Sequence, residues 1–513
     1  MSPIRPPQLT IPDMIAGNGK WIPDQIAWVY GERRVTWKEF SSRVNRVANA
    51  LIGLGVGKGD RVAVLMTDSI ETAEILFGVV RAGAVVVPLS PMVTPQAIER
   101  MVADSGSKAL FVNGLLQAFP AQFEKPYAAR LISVGFKSEG WTSYDELMAG
   151  ASEEDPNVPI AFDDDYIIVY SSGTTGVPKG IVHTHLSRLW LVFNLGLPYR
   201  IDRNTVTILT TPLFTNGTWV TMLPTVVAGG TNVIMGKFEP KAFLDLAQKE
   251  KATHSVMVPT QYIVTMAHPE FKNADLSSLQ CLISVGSTLH QEVRERILKN
   301  FDCEFYELYG LTEGVGTMLR REEMLRKPSS VGKPGLGNDI LILDEVGREL
   351  PPGLPGEITG YAGGLMKGYH NRPDLTDEII WKDPKGRTYL RTGDIGKMDE
   401  EGFLYILDRK KDMIVSGGIN IFAKDIEDIL TQHSDVLDVT VIGLPHEKWG
   451  ETPVALVIRN TDAKATAEEL KEWANAKLAK YQRVSGVFFR DEFPRNALGK
   501  VMKRLLREEL SHS

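Results

Sequence analysis

Ser171 to Gly180 reads SSGTTGVPKG, directly after the apolar run Tyr166–Tyr170. Small hydroxyls, glycines and one lysine in such a stretch suit a loop that holds phosphate. Main-chain N–H groups at a Gly-rich turn after a strand make a concavity for phosphate oxygens. Gly173 and Gly176 allow close approach and positive φ, and Ser171, Ser172, Thr174 and Thr175 add hydroxyl donors. Lys179 adds a charge. The spacing is not that of a Walker A loop, which needs G-x-x-x-x-G-K-[ST] opening a helix; here Pro178 precedes the lysine and Gly180 follows it. Phosphate chemistry is therefore expected without a P-loop kinase or ATPase. Taken alone, the same stretch also reads as a polar surface turn.

Four further segments concentrate residues with chemical capacity: YELYGLTEG (306–314), YLRTGDIG (389–396), DRKKDMIVSGGINI (408–421) and PRNALGKV (494–501). They offer carboxylates at Glu307, Glu313 and Asp394, cations at Arg409, Lys411 and Lys500, and a glycine pair at Gly417 and Gly418. Taken alone, Glu313 reads as a solvated carboxylate and Tyr309 as a buried core ring. His183 and His185 lie two apart without a third ligand in sequence reach, so they read as polarity at a loop or helix start.

The elements that must position these groups alternate in type. Short β-branched runs at Arg61–Met66, Ala84–Leu89, Ala109–Val112, Tyr166–Tyr170, Thr205–Thr211, Thr231–Met235, Ser255–Pro259 and Cys281–Val285 predict strands. Helical spacing at Trp37–Leu54, Ile70–Ala82, Pro240–Lys251 and His290–Asn300 predicts helices between them. Such alternation predicts an α/β fold with parallel sheets covered on both faces and ligands beyond the strands' carboxyl ends. Dense Gly and Pro around 332–370 predict a small β-rich subdomain. A compact α+β region is expected after Asp408, with strands at Val439–Gly443 and Val454–Ile458 and helices at Thr466–Ala479 and Lys500–Leu510. The domains are read as 1–408 and 409–513.

Bulk properties agree. The chain has 513 residues, 43% of them hydrophobic, and a formal charge of −7. That length allows two or more domains, and the negative balance argues against nucleic acid as main partner. Two cysteines, Cys281 and Cys303, support neither a disulfide framework nor a zinc site. With no secretory leader pattern and no long apolar span, a cytoplasmic enzyme without a membrane span is expected, monomeric or homodimeric.

The five segments, in this order, resemble the adenylate-forming superfamily, in particular its acyl-CoA synthetase branch. The resemblance runs from about Trp37 to Arg507. It implies a large AMP-binding region and a small mobile C-terminal lid, with ATP, Mg²⁺ and coenzyme A as cofactor and co-substrates. A carboxylate would attack the α-phosphate of ATP, and a thiol would then displace AMP. The resemblance assigns Ser171–Gly180, with Thr175, to the β- and γ-phosphates, Tyr309 to adenine, Thr312 to phosphate and Glu313 to Mg²⁺. Asp394 would take the ribose hydroxyls, supported by Arg409. Lys500 would bridge the carboxylate and α-phosphate, Lys411 would sit at the hinge, and Gly417 and Gly418 would line the thiol side. Gly286, Ser287, Glu307 and Gly310 fall among the nucleotide-side residues.

The same resemblance places Thr215, Trp219, Val285, Gly286, Gly310 and Val315 at the acyl pocket. Thr215 stands where histidine or another aromatic is usual, which leaves acid placement open. Small apolar residues here, with no arginine in these segments, point to a monocarboxylic acid with an uncharged fatty, aryl or cyclic tail, since a second carboxylate needs a buried basic partner. Loading of a carrier-protein phosphopantetheine is the alternative acceptor reading, disfavoured by the absence of a fused carrier after Lys500. Luciferase-like oxidation and a non-catalytic nucleotide-binding protein are more distant alternatives.

Overall fold

The computed structural model describes residues 7–123, 129–171, 179–416, 419–495 and 500–511. The expected phosphate-loop residues Ser172, Gly173, Thr174, Thr175 and Gly176, and the thiol-side Gly417 and Gly418, lie outside the described residues.

The chain divides into two compact units: Met1–Pro328 with Pro334–Asp339 and Tyr361–Leu390, and Ser329–Lys333 with Ile340–Gly360 and Arg391–Ser513. The sequence boundary at 408/409 falls inside the second unit. It lies within the strand Leu404–Arg409, which is laddered to Asp394–Met398. A charged run marks a change in solvent exposure along a strand as readily as a domain edge.

The first unit carries two large sheets of mixed α/β type. One runs in the order Gly316–Arg320, Glu304–Gly310, Cys281–Val285, His254–Met257, Val206–Leu209, Thr231–Ile234, Ile26–Tyr30, Arg33–Thr36. The other runs Gly368–Tyr369, Lys179–Thr184, Asp165–Ser171, Val85–Pro88, Arg61–Leu65, Ala109–Asn113, Arg130–Val134, Thr142–Ser143. Their central pairs are parallel, as the alternation predicts. The exceptions are edge hairpins, and two of them hold expected site residues. Asp165–Ser171 pairs antiparallel with Lys179–Thr184, Ser171 opposite Lys179. Glu304–Gly310 pairs antiparallel with Gly316–Arg320. The phosphate segment is thus flanked by a hairpin's two strands, and the helix that follows starts only at His185.

Local signals explain the helices. Trp37–Gly53 begins at a reciprocal capping box of Thr36 and Glu39, and Ile70–Arg81 at a Ser69 cap. Ile70–Arg81 is buried almost all round, which matches its near-continuous apolar sequence. Trp28, Phe40, Phe77 and Trp219 pack in tilted and edge-on contacts at 5.4–6.4 Å and anchor the core between the helices and sheets.

In the second unit, the Gly- and Pro-rich stretch supplies the strands Asp339–Leu343 and Gly356–Tyr361, next to Thr388–Met398, so the β-rich expectation holds there. A further sheet joins Ile419–Ile421, Ile414–Ser416, Gly450–Arg459 and Val436–His446, with Gly486–Phe489 beside Gly450–Arg459. The helices Ala423–Leu430 and Ala467–Lys477 cover it through Ile426, Leu430, Leu470 and Ala474. The last helix is Lys503–Ser511 rather than Lys500–Leu510. Val501 instead bridges back to Arg495, with Met502 N donating to the Pro494 carbonyl at 2.8 Å. That bridge leaves Lys500 outside the last helix.

Candidate active site

The turn between Gly310 and Gly316 presents Thr312 and Glu313. Leu311 N donates to the Val315 carbonyl at 2.9 Å and Gly314 N to the Leu311 carbonyl at 3.0 Å. Gly314 has φ 103°, and a Cβ there would meet the Gly364 carbonyl oxygen at 2.2 Å. Only glycine lets this turn approach the neighbouring chain.

The same turn is clamped from the side. The His183 ring, on Lys179–Thr184, donates from Nε2 to the Thr312 carbonyl at 2.7 Å, and its Nδ1 lies 3.2 Å from Ser187 Oγ. Burial, with Arg188 nearby, holds the His183 pKa well below its ordinary value, so the ring is a neutral N–H donor. Met366 N donates to the Glu313 carbonyl at 2.9 Å.

Tyr369 links the turn to the phosphate hairpin. Its hydroxyl donates to Glu313 Oε1 at 2.9 Å, while Lys179 Nζ stands 5.0 Å from its ring centroid. The pairing of Tyr369 with Ile181 places it there. Lys179, Tyr369 and Glu313 thus form one line of contact. Sequence reasoning found the two ends and missed both Tyr369 and His183. The motif GYHNRP gave no chemical signal by itself, and a lone histidine reads as bland polarity.

The other expected nucleotide-side residues in this unit sit at strand ends. Cys281–Val285 runs into Gly286 (φ 96°) and Ser287, and Tyr309 is half-buried opposite Thr317. Glu307 is buried, and its Oε2 accepts from Arg294 Nη2 within the fold. For magnesium, the residues present fit. Glu313 offers a half-buried carboxylate oriented by one hydroxyl, and no cluster of three metal-type side chains exists among the described residues. One protein carboxylate with phosphate oxygens and water is how magnesium is usually held.

The acyl-side segment is tightly knotted. Thr215 Oγ1 donates to the Pro212 carbonyl at 2.8 Å, and the Thr211 and Thr215 hydroxyls each lie 2.8 Å from that of Thr218. Trp219 is fully buried and donates from Nε1 to the Leu213 carbonyl at 2.9 Å, so it serves the core. Asp68 accepts from Leu213 N at 2.9 Å, and burial pushes its pKa up to about 6. Val285 is half-buried against the neighbouring core and Val315 is buried. The sequence reading looked for an arginine within the pocket segments. The fold brings one from outside them: Arg188 Nη1 donates to Asn216 Oδ1 at 2.8 Å.

In the second unit, Asp394 and Arg409 are cross-strand partners, with Arg409 Nε 3.4 Å from Asp394 Oδ1. Lys500 titrates in the field of Arg409, Asp394, Lys411 and Asp412. Burial first, then the Arg409 charge, lower its pKa to about 7. Five residues from three motifs therefore share one electrostatic environment. The Asp408 carboxylate accepts from Ala423 N at 2.5 Å, and burial raises its pKa to about 6.

The chain matches the AMP-binding enzyme family over residues 19–370 and the AMP-binding enzyme C-terminal domain over 425–500. It is 33% identical over 492 residues to a long-chain-fatty-acid–CoA ligase, FadD13, of Mycobacterium tuberculosis, with 93% of each chain covered. It is equally 33% identical over 497 residues to a feruloyl-CoA synthase of Amycolatopsis sp, covering 95% of this chain and 98% of that one. The structure of ATP-bound MatB from Rhodopseudomonas palustris superposes with a TM-score of 0.89 at 28% identity, over 98% and 99% of the two chains. The chain belongs to the AMP-binding enzyme family. Within it, the protein is a carboxylate–CoA ligase that works through an acyl-adenylate and uses ATP, Mg²⁺ and coenzyme A. Carrier-protein loading is not favoured. No helix among the described residues is long and apolar enough to cross a membrane.

Proposed function

We propose that the acid is one with an apolar body, fatty, aryl or cyclic, and that the expected residues divide the labour as follows. Glu313 holds Mg²⁺, which when bound neutralises phosphate charge. Lys179, with the hydroxyls of the preceding loop, receives the β- and γ-phosphates. Tyr309 stacks on adenine, Thr312 meets phosphate, and Asp394, with Arg409, takes the ribose diol. Lys500 places a point cation between the incoming carboxylate and the α-phosphate, where repulsion between anions is greatest. Gly417 and Gly418 serve thiol entry once Lys500 has left, with Lys411 at the hinge.

The observation that carries this reading is the line Lys179–Tyr369–Glu313. It joins a phosphate-type cation to a magnesium-type carboxylate through one side chain. The apolar body rests on Val285 and Val315. It also rests on the two curated relatives, whose names specify a fatty and an aryl acid at the same identity. That tie leaves the choice between fatty and aryl to experiment.

The test is a panel of fatty, aryl and cyclic acids with ATP and Mg²⁺, with and without coenzyme A, following AMP and pyrophosphate. AMP release should need both acid and coenzyme A and fall by about 10²–10³-fold in Lys500→Ala. Unchanged AMP release in that variant would remove Lys500 from the chemistry. A panel in which only small polar acids react would remove the apolar body.

A further inference from the structure

Arg188 is 1% exposed, on the first turn of the helix His185–Gly196. Its Nη1 donates to Asn216, and its guanidinium carbon stands 5.7 Å from the Trp219 ring centroid. Nε and Nη2 have no hydrogen-bond partner, and among the described residues no Asp or Glu pairs with it. Beside it, Tyr166 packs edge-on against the same indole at 6.1 Å, and its hydroxyl is also buried without a partner. Burial lowers the Arg188 pKa to about 10, which leaves it cationic at neutral pH.

Such an arrangement is costly unless something completes it. Buried guanidinium groups are ordinarily paired, and buried N–H groups are ordinarily bonded. The unpaired atoms are not scattered: Nε and Nη2 form one edge of the planar group, the side-on fork that accepts both oxygens of a carboxylate. The partnered Nη1 lies on the other side, tied to Asn216, the chain neighbour of Thr215, which the family resemblance places at the acyl pocket. A cation held only for core packing has no need of an open fork.

We infer that the Nε/Nη2 edge of Arg188 binds a second carboxylate on the acid, with the Tyr166 hydroxyl as a further donor, so that the preferred substrate is a dicarboxylic acid with an apolar body. The inference rests on the CoA-ligase reading and narrows its acid. Asn216 orients the fork, and the first carboxylate remains free for adenylation.

Matched pairs of acids test this: benzoate with isophthalate, hexanoate with adipate, cyclohexanecarboxylate with its dicarboxylic counterpart. The quantity read is the diacid-to-monoacid ratio of kcat/KM for acid- and CoA-dependent AMP release. At least one pair should favour the diacid by on the order of 10²-fold, and Arg188→Met should bring that ratio near or below unity. Arg188→Lys keeps charge without the fork and should retain only part of the preference. A panel in which every monoacid is preferred overturns the inference while leaving the ligase reading intact. So does a loss in Arg188→Met that is equal for both members of a pair, which would place the reacting carboxylate or only the fold at Arg188. A loss confined to the KM for coenzyme A would put the thiol substrate there instead and equally overturn it. Should Arg188→Met fail to fold, the wild-type ratio and the Arg188→Lys ratio decide. No AMP from any acid sinks the ligase reading and the inference together.

Discussion

Raising the pH should switch off adenylation through Lys500 before anything unfolds. The Lys500 pKa of about 7 arises from burial and the nearby Arg409 charge, partly offset by Asp394. The working form is the ammonium, since its task is to meet two anions. Its charged fraction in the free enzyme is then about one half at pH 7, about a tenth at pH 8 and about a hundredth at pH 9. The profile of kcat/KM reports the free enzyme, so acid-dependent ATP–pyrophosphate exchange at subsaturating ATP should fall roughly tenfold per pH unit above about 7. In the complex, the phosphates favour the charged form, so the kcat limb should lie at higher pH than the kcat/KM limb. Lys500→Arg, which stays charged, should lose the limb even if its rate is lower. Stability runs with the same sign: because the folded pKa lies below the unfolded value, the fold is penalised while Lys500 is protonated. That penalty is relieved as pH rises from about 7 towards 10.5. A kcat/KM profile flat from pH 7 to 9, or the same limb in Lys500→Arg, would refute the reasoning.

Tyr369→Phe removes the hydroxyl that orients Glu313 but keeps the ring under Lys179. A lost hydrogen bond to a charged group is worth about 1.5–3 kcal/mol. The Mg²⁺ concentration for half-maximal pyrophosphate exchange should therefore rise about tenfold or more, with MgATP binding by calorimetry weakened in parallel and thermal stability little changed. Gly314→Ala places a side chain against the Gly364 carbonyl at positive φ; it should cost about 1–3 kcal/mol or more in denaturant unfolding and lower exchange activity with it. Asp68 is held near pKa 6 by burial, above its unfolded value, so its contribution to stability is largest below about pH 4 and is lost as pH rises to 6. Asp68→Asn, which still offers an acceptor to Leu213 N, should raise the melting temperature at pH 7.5 and leave it nearly unchanged at pH 4.

Much of the fold was legible because its signals are local. The β-branched runs became Arg61–Leu65, Ala109–Asn113 and Cys281–Val285, and the predicted Trp37–Leu54 helix became Trp37–Gly53. Periodicity and capping residues act over a few neighbours, so the chain states them directly. Strand direction at the edges was not legible. The spacing around SSGTTGVPKG reads alike for a strand–turn–helix and for a hairpin, and only the pairing of Ser171 with Lys179 separates them. The helix expected from Lys500 starts three residues later, because Val501 is drawn into a bridge with Arg495 across a sequence gap that periodicity does not see.

The site divides along the same line. Lys179, Glu313, Asp394, Arg409 and Lys500 could be named from the chain alone, since phosphate, metal and carboxylate chemistry restrict residue type and each lies in a compact motif. Their partners could not. Tyr369 reaches Glu313 across 56 positions, His183 reaches Thr312 across 129, and Arg188 reaches Asn216 across 28. A hydrogen bond acts over about 3 Å of space whatever the separation along the chain. The sequence by itself determined which residue types and motifs could serve phosphate, metal and carboxylate chemistry; only the packing of strand on strand and helix on loop decided which groups hold them, and left one edge of a buried guanidinium open.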